Sequence, residues 1–171
     1  MGVYTGVGSR KAPAEILDLL WRAAVALRKD GWTARSGHAE GSDQAVENGA
    51  RASAEIYLPW PGFNGRVLWA SFVMARPQPE AFTIAREFHP NWAACSTAAR
   101  ALHARNAHQI LGPDVLNPVL PTFVLCWTPG ARVQGGTATA LRLAEHYGVD
   151  VYNLALATAR GRIERWTREA A

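Results

Sequence analysis

The sequence predicts an α/β domain of three layers, α/β/α, in which helices cover both faces of a mostly parallel sheet of about five or more strands. Three observations lead there. Short apolar runs alternate with stretches of helical spacing, in the order β-α-β-α-β, over roughly the first third of the chain. One texture, an apolar run followed by glycine and hydroxyl residues and then a helix, occurs three times. The 171 residues, 49% hydrophobic and 19% charged, suffice to bury one core, and no repeat, linker or compositional step divides them. Residues 1–171 are therefore read as a single domain.

Residues 3–7, VYTGV, are β-branched and aromatic and run into Gly8-Ser9-Arg10, a strand entering a turn. Pro13 suits a first helical turn, and Ile16, Leu17, Leu20, Ala24 and Leu27 keep helical spacing to about Asp30. Gly31 stops that helix, and residues 32–35 read as a second strand. A helix over about 42–52 follows, then a third strand over 54–58 ended by Pro59. Between Pro59 and Glu80 the periodicity fails: PWPGFNGRV is turn-rich and carries Trp60 and Phe63. Helical spacing resumes in two parts separated by Pro90, the second over about 96–111. Residues 122–126 form a buried strand, 137–146 a helix, 149–153 a fifth strand, and about 156–168 a final helix.

Composition narrows the functional classes. Cys95 and Cys126 are the only two cysteines, with neither disulfide-framework number nor metal-ligand spacing, which points to a reducing, cytoplasmic setting. The five histidines show no HExxH-type spacing, so no metal and no cofactor is expected. No secretory leader is legible, and no apolar run approaches the roughly 18 residues of a membrane span. The formal charge of +4 is compatible with a polyanionic partner without selecting one.

The three glycine turns predict the site. In a parallel sheet they open together at the carboxyl ends of the strands, where ligands of open α/β folds bind. Glycine lets a ligand approach the backbone, and N–H groups at a helix start attract anions. The candidate ligand-binding residues are Gly8, Ser9 and Arg10 in the first turn, and Ser36, Gly37, His38, Ala39, Gly41, Asp43 and Glu47 in the second. Trp127, Gly135, Gly136 and Thr137 complete the set in the third. Arg10 offers a bidentate donor to phosphate. Asp43 and Glu47, four apart on one helix face, could accept from ribose hydroxyls or simply serve the helix start. Trp60, Phe63 and Trp127 could stack on a base or cover the core edge. Arg105, Asn106 and Gln109 read as solvent-facing from helical spacing alone, and Arg162, Arg165 and Arg168 as a weak basic ridge.

GVGSR after the first strand, RSGHAEGSDQAVENGA after the second and GGTATALRLAEHYGVDVYNL near the end resemble the SLOG superfamily of Rossmann-like nucleotide-binding domains. Within it the pattern is most similar to the DNA-processing protein A-like branch, including its small single-domain versions from phages and bacteria. The segments IYLPWPGFNG and RNAHQILGP fit those small versions, which makes Arg105, Asn106 and Gln109 worth testing. The resemblance spans residues 3–154 and implies a Rossmann-like fold, a homo-oligomer, and binding rather than catalysis. The primary expectation is a nucleotide or nucleotide-derived signal held at the sheet edge through the glycine turns and Arg10; the alternative is single-stranded DNA held by a recombination mediator. A phosphoribohydrolase, as in another branch, needs a glutamate in the helical turn after its glycines. Here Ala138, Thr139, Ala140 and Leu141 stand there, and the first carboxylate is Glu145.

Overall fold

The computed structural model describes residues 2–65 and 69–170. Residues 66–68, part of the turn-rich segment, lie outside the described residues. Six strands form one sheet: β1 (Val3–Gly8), β2 (Thr33–Ser36), β3 (Ala54–Tyr57), β4 (Phe72–Met74), β5 (Phe123–Trp127) and β6 (Asp150–Asn153). Their spatial order is β4-β3-β2-β1-β5-β6, and all pairings are parallel. The helices are α1 (Ala14–Lys29), α2 (Ser42–Ala50), α3 (Pro79–Phe88), α4 (Thr97–Leu111), α5 (Ala138–His146) and α6 (Ala157–Glu169). The architecture is thus α/β and Rossmann-like, as the sequence predicts. Among the described residues, no helix is long and apolar enough to cross a membrane.

Strand β4 is the element that the sequence does not reveal. It has three residues, pairs only with β3 at the sheet edge, and leaves Phe72 and Val73 exposed, so no buried alternation marks it. The central strands are apolar on both faces because helices cover both. In β1, Tyr4 packs with Ile16, Leu19 and Leu20 of α1, while Val7 packs on the other side with Ala104 and Ala107 of α4. In β5, Leu125 joins the first core cluster, and Val124 and Cys126 the second. Each fully buried leucine or isoleucine of these layers contributes about 1.5–3 kcal/mol.

The second part of helix α4 lies inside the molecule. Ser96 caps the helix by accepting from the Ala99 N–H at 3.2 Å, and every residue from 103 to 111 is buried. Arg35 on β2, 2% exposed, pairs with Glu55 at 2.8 Å and donates to the carbonyls of Ile110 and Val119, tying the end of α4 to the sheet. Arg105, Asn106 and Gln109 are consequently buried rather than solvent-facing. Arg105 and Asn106 donate to carbonyls of distant turns, which helical spacing cannot register, whereas the Gln109 side-chain amide is buried without a partner.

Candidate nucleotide-binding cleft

Successive strands after β1 extend the sheet to one side through β2, β3 and β4, and to the other through β5 and β6. The chain therefore leaves the carboxyl ends of the adjacent β1 and β5 in different directions and opens a cleft between them. The cleft has a volume of about 420 Å³. Gly8, Ser9, Arg10 and Lys11 form one wall, and Thr128, Pro129 and the turn Gln134 to Thr137 form another. Leu102 and Asn106 of α4 also line it.

Half of the predicted residues meet there: Gly8, Ser9, Arg10, Ala39, Gly135, Gly136 and Thr137. Ser36, Gly37, His38, Gly41, Asp43, Glu47 and Trp127 do not line it. Trp127 is half-buried against the first core cluster, and its carbonyl accepts the Ser9 N–H at 2.9 Å, stitching β1 to β5.

The second turn is a closed polar network. Asp43, 1% exposed, accepts from the Gly8 N–H at 3.3 Å and the Gly37 N–H at 3.1 Å, and lies 3.4 Å from Arg105 Nη1. Arg105 also donates to the Gly37 carbonyl. Glu47, 2% exposed, accepts from Ser36 Oγ at 2.7 Å and the His38 N–H at 2.8 Å, and its other oxygen lies 2.7 Å from His38 Nδ1. Burial pushes Asp43 up to about 6 against the opposing pull of Arg105. The hydrogen bond to Glu47 raises His38 above its ordinary value, against the effect of its own burial.

This network corrects the expectation that free amides of the first two turns receive the ligand. The Gly8, Gly37 and His38 amides are taken by Asp43 and Glu47, the Ser9 amide by Trp127, and the Lys11 amide by Ser9 Oγ. Asp43 is an internal anion seated in the nest that an external one would use. Two glycines permit the close packing. A Cβ on Gly37 would overlap the Arg105 guanidinium, and Gly41, at φ +83°, would place one 2.8 Å from Arg10 Cα.

The third turn is open. Gly135 and Gly136 are exposed, and a Cβ on either would meet nothing within 4 Å. Among the described residues, neither donates its amide to an acceptor outside the turn. The turn Gly135–Thr137 leads directly into α5, and the Ala138 amide joins the two by donating to the Gly135 carbonyl, which leaves the outward amides to the turn itself. Asn106 Nδ2 donates to the Gly136 carbonyl, while Asn106 Oδ1 is buried without a partner. Arg10 and Lys11 are exposed at the rim. Lys11 and Asn106 are absent from the predicted ligand set; Lys11 carries no motif signal, and Asn106 is flagged only by resemblance.

A second cavity of about 460 Å³ adjoins the first and shares Leu102, Gln134, Gly135 and Gly136 with it. His89, His103 and Arg142 are among its lining. Burial, with further contributions from the neighbouring His89, Arg105 and Arg142, holds His103 down at about 4. Arg142 donates to the Phe88 carbonyl at 3.1 Å and has no carboxylate partner among the described residues. No carboxylate lines either cavity among the described residues.

Of the other aromatic candidates, Phe63 is buried with its ring 5.8 Å from the Arg105 guanidinium, and Trp60, partly exposed, stands edge-on to it at 5.1 Å. Neither lines the cleft.

No protein-family model matches this chain. No curated protein matches it either. Solved structures do. DNA processing protein A from Helicobacter pylori, a single-stranded DNA-binding protein, is similar at 14% identity over 98% of this chain and 80% of that one, with a TM-score of 0.43. DNA processing protein A from Streptococcus pneumoniae is similar at 13% identity and a TM-score of 0.49. This chain is covered to 99% in that second match and spans 56% of the other protein's length.

Proposed function

We propose that this chain binds single-stranded DNA through the paired cavities at the carboxyl edge of the sheet. The carrying observation is the adjoining pair itself: two spaces of about 420 and 460 Å³ that share one glycine turn, bordered by Arg10, Lys11 and Arg142 and by no carboxylate among the described residues. A single nucleotide needs only the first space, whereas a strand uses both. In this reading the phosphodiester lies across the Gly135–Thr137 turn, where free amides and the start of α5 favour negative charge. Arg10 and Lys11 hold the phosphates of the first cavity, and Arg142 draws the strand into the second. Asn106 Oδ1 receives a donor from a base, which relieves a buried, unpartnered acceptor costing about 1–3 kcal/mol.

The internal network supports this reading over a ribose-reading pocket. Asp43 and Glu47, the acceptors suited to a sugar diol, are buried with their oxygens engaged, so the cleft offers cations and amides but no carboxylate. Asp43, Glu47, Ser36, Gly37, His38 and Gly41 then act by holding the first two turns in position, and Trp127 by joining β1 to β5.

A second reading keeps a nucleotide or nucleotide-derived ligand in the first cleft alone, whose volume is within the usual range for small-molecule sites. The two are separated by titrating a labelled short single-stranded oligonucleotide against purified protein and competing with duplex DNA, mononucleotides and cyclic nucleotides. Displacement by unlabelled single strands alone supports the strand reading. Saturable calorimetric binding of one small nucleotide, with no binding of the oligonucleotide, replaces it by the second. Self-association, implied by the family resemblance, is a separate proposal that sedimentation velocity of the same sample tests.

A further inference from the structure

We propose that His89, Cys95 and His103 form a site for a zinc-class transition-metal ion beside the second cavity. One potential ligand atom from each of the three lies within 4.8 Å of the others. Cys95 Sγ stands 3.7 Å from both ring nitrogens of His89. The His89 and His103 rings meet edge to face with centroids 4.3 Å apart. Tetrahedral zinc, with bonds of about 2.0–2.3 Å, sets neighbouring nitrogen and sulfur ligands about 3.5 Å apart. The observed spacing needs only a small inward movement, which the half-buried His89 ring and Cys95 side chain can make.

The fold assembles these ligands from consecutive but distinct pieces. His89 closes the end of α3, Cys95 ends the 3-10 turn Trp92–Ala94, and His103 projects from α4. Arg100 of α4 braces the intervening turn by donating to the Trp92 and Ala93 carbonyls, each at 3.4 Å, with its guanidinium over the Trp92 ring. His103 Nδ1 lies 2.8 Å from Thr139 Oγ1, which orients the ring and leaves Nε2 to face an ion. A hydrogen-bond acceptor behind a ligating imidazole fixes its tautomer and orientation, most often a carboxylate, carbonyl or water; here the Thr139 hydroxyl takes that place. The donor set of two imidazoles and a thiol selects zinc or another thiophilic ion over magnesium and calcium.

On binding, the Cys95 thiol releases its proton to solvent and the sulfur forms the metal bond, with no change in oxidation state. Three protein ligands leave a fourth position, and the second cavity, lined by His89 and His103, has room for the water or other ligand that completes it. This inference does not rest on the DNA reading. The spacing His-x5-Cys-x7-His matches no familiar ligand motif, which is why the sequence predicts no metal.

Cobalt(II), a spectroscopic substitute for zinc, tests the site in the purified, chelator-treated full chain. We expect one equivalent to give tetrahedral visible bands with a thiolate-to-metal charge-transfer band, all displaced by zinc. Cys95→Ser abolishes the charge-transfer band and weakens zinc at least tenfold, and His103→Gln weakens it similarly. Cys126→Ala, in β5, leaves the spectrum unchanged, and Thr139→Val keeps the band with affinity reduced by about tenfold. Should His103→Gln fail to fold, Cys95→Ser decides, because Cys95 is half-buried in a turn and its circular dichroism reports folding independently. Absence of the charge-transfer band at stoichiometric cobalt, or zinc bound as tightly by Cys95→Ser as by the parent, overturns the proposal.

Discussion

After β2 the chain reads SGHAEGSD, and before α5 it reads VQGGTA. Both put glycine and hydroxyl residues between a strand and a helix, yet they are built for different purposes. The first is buried, and its Gly37 and His38 amides are consumed by Asp43 and Glu47 from the helix that it introduces. The second is exposed, a Cβ on either of its glycines would meet nothing within 4 Å, and it forms the shared wall of two cavities. A glycine-rich turn stays open to an external anion only where the protein has not already supplied one. The carboxylates one helical turn apart in α2 mark the filled nest, and their absence after Gly136 marks the open one.

The largest effect separating the two turns comes from removing the internal anion. Asp43→Ala leaves Arg105 buried without its carboxylate and should cost about 3–5 kcal/mol, read from urea unfolding. Next comes the contrast of two alanines. Gly37→Ala drives a Cβ into the Arg105 guanidinium and should cost about 1–3 kcal/mol, whereas Gly136→Ala should stay within about 0.5 kcal/mol and be read only in ligand binding. Equal destabilisation by the two would erase the distinction between the turns.

Smaller still is a pH effect confined to the closed turn. Both perturbed groups have folded pKa values above their ordinary ones, so each contributes stability that is complete at low pH and lost as pH rises. For Asp43 the loss falls between the ordinary 3.8 and about 6. For His38 it begins at the ordinary 6.5 and runs upward through the raised folded value. Asp43→Asn should flatten the lower limb of a stability–pH curve and His38→Gln the upper one. An unchanged upper limb in His38→Gln would remove the His38–Glu47 contact from the account.

The layers, the order of the first strands and the location of the cleft were legible because two-sided apolar strands, helical spacing and turn glycines are local signals. Strand β4 was not, since three edge residues, two of them exposed, bury nothing periodic. Nor was the fate of the amides. Whether Gly8 offers its N–H outward depends on where the Asp43 side chain points, and that follows from the packing of α2 beside β1. The burial of Arg105 and Asn106 was hidden for the same reason: their acceptors, the Gly37 and Gly136 carbonyls, are supplied by distant turns.

The smallest effect on the fold carries the central claim. Arg10 is exposed at the cleft rim, so Arg10→Ala should leave unfolding within about 0.5 kcal/mol of the parent. The decisive measurement is the affinity of the parent and of Arg10→Ala for a short single-stranded oligonucleotide across a series of salt concentrations. The account predicts that the parent binds with affinity falling steeply as salt rises, and that Arg10→Ala binds more weakly with a slope shallower by about 0.7. Parallel slopes of equal affinity, or no binding of the oligonucleotide by the parent at low salt, would contradict it.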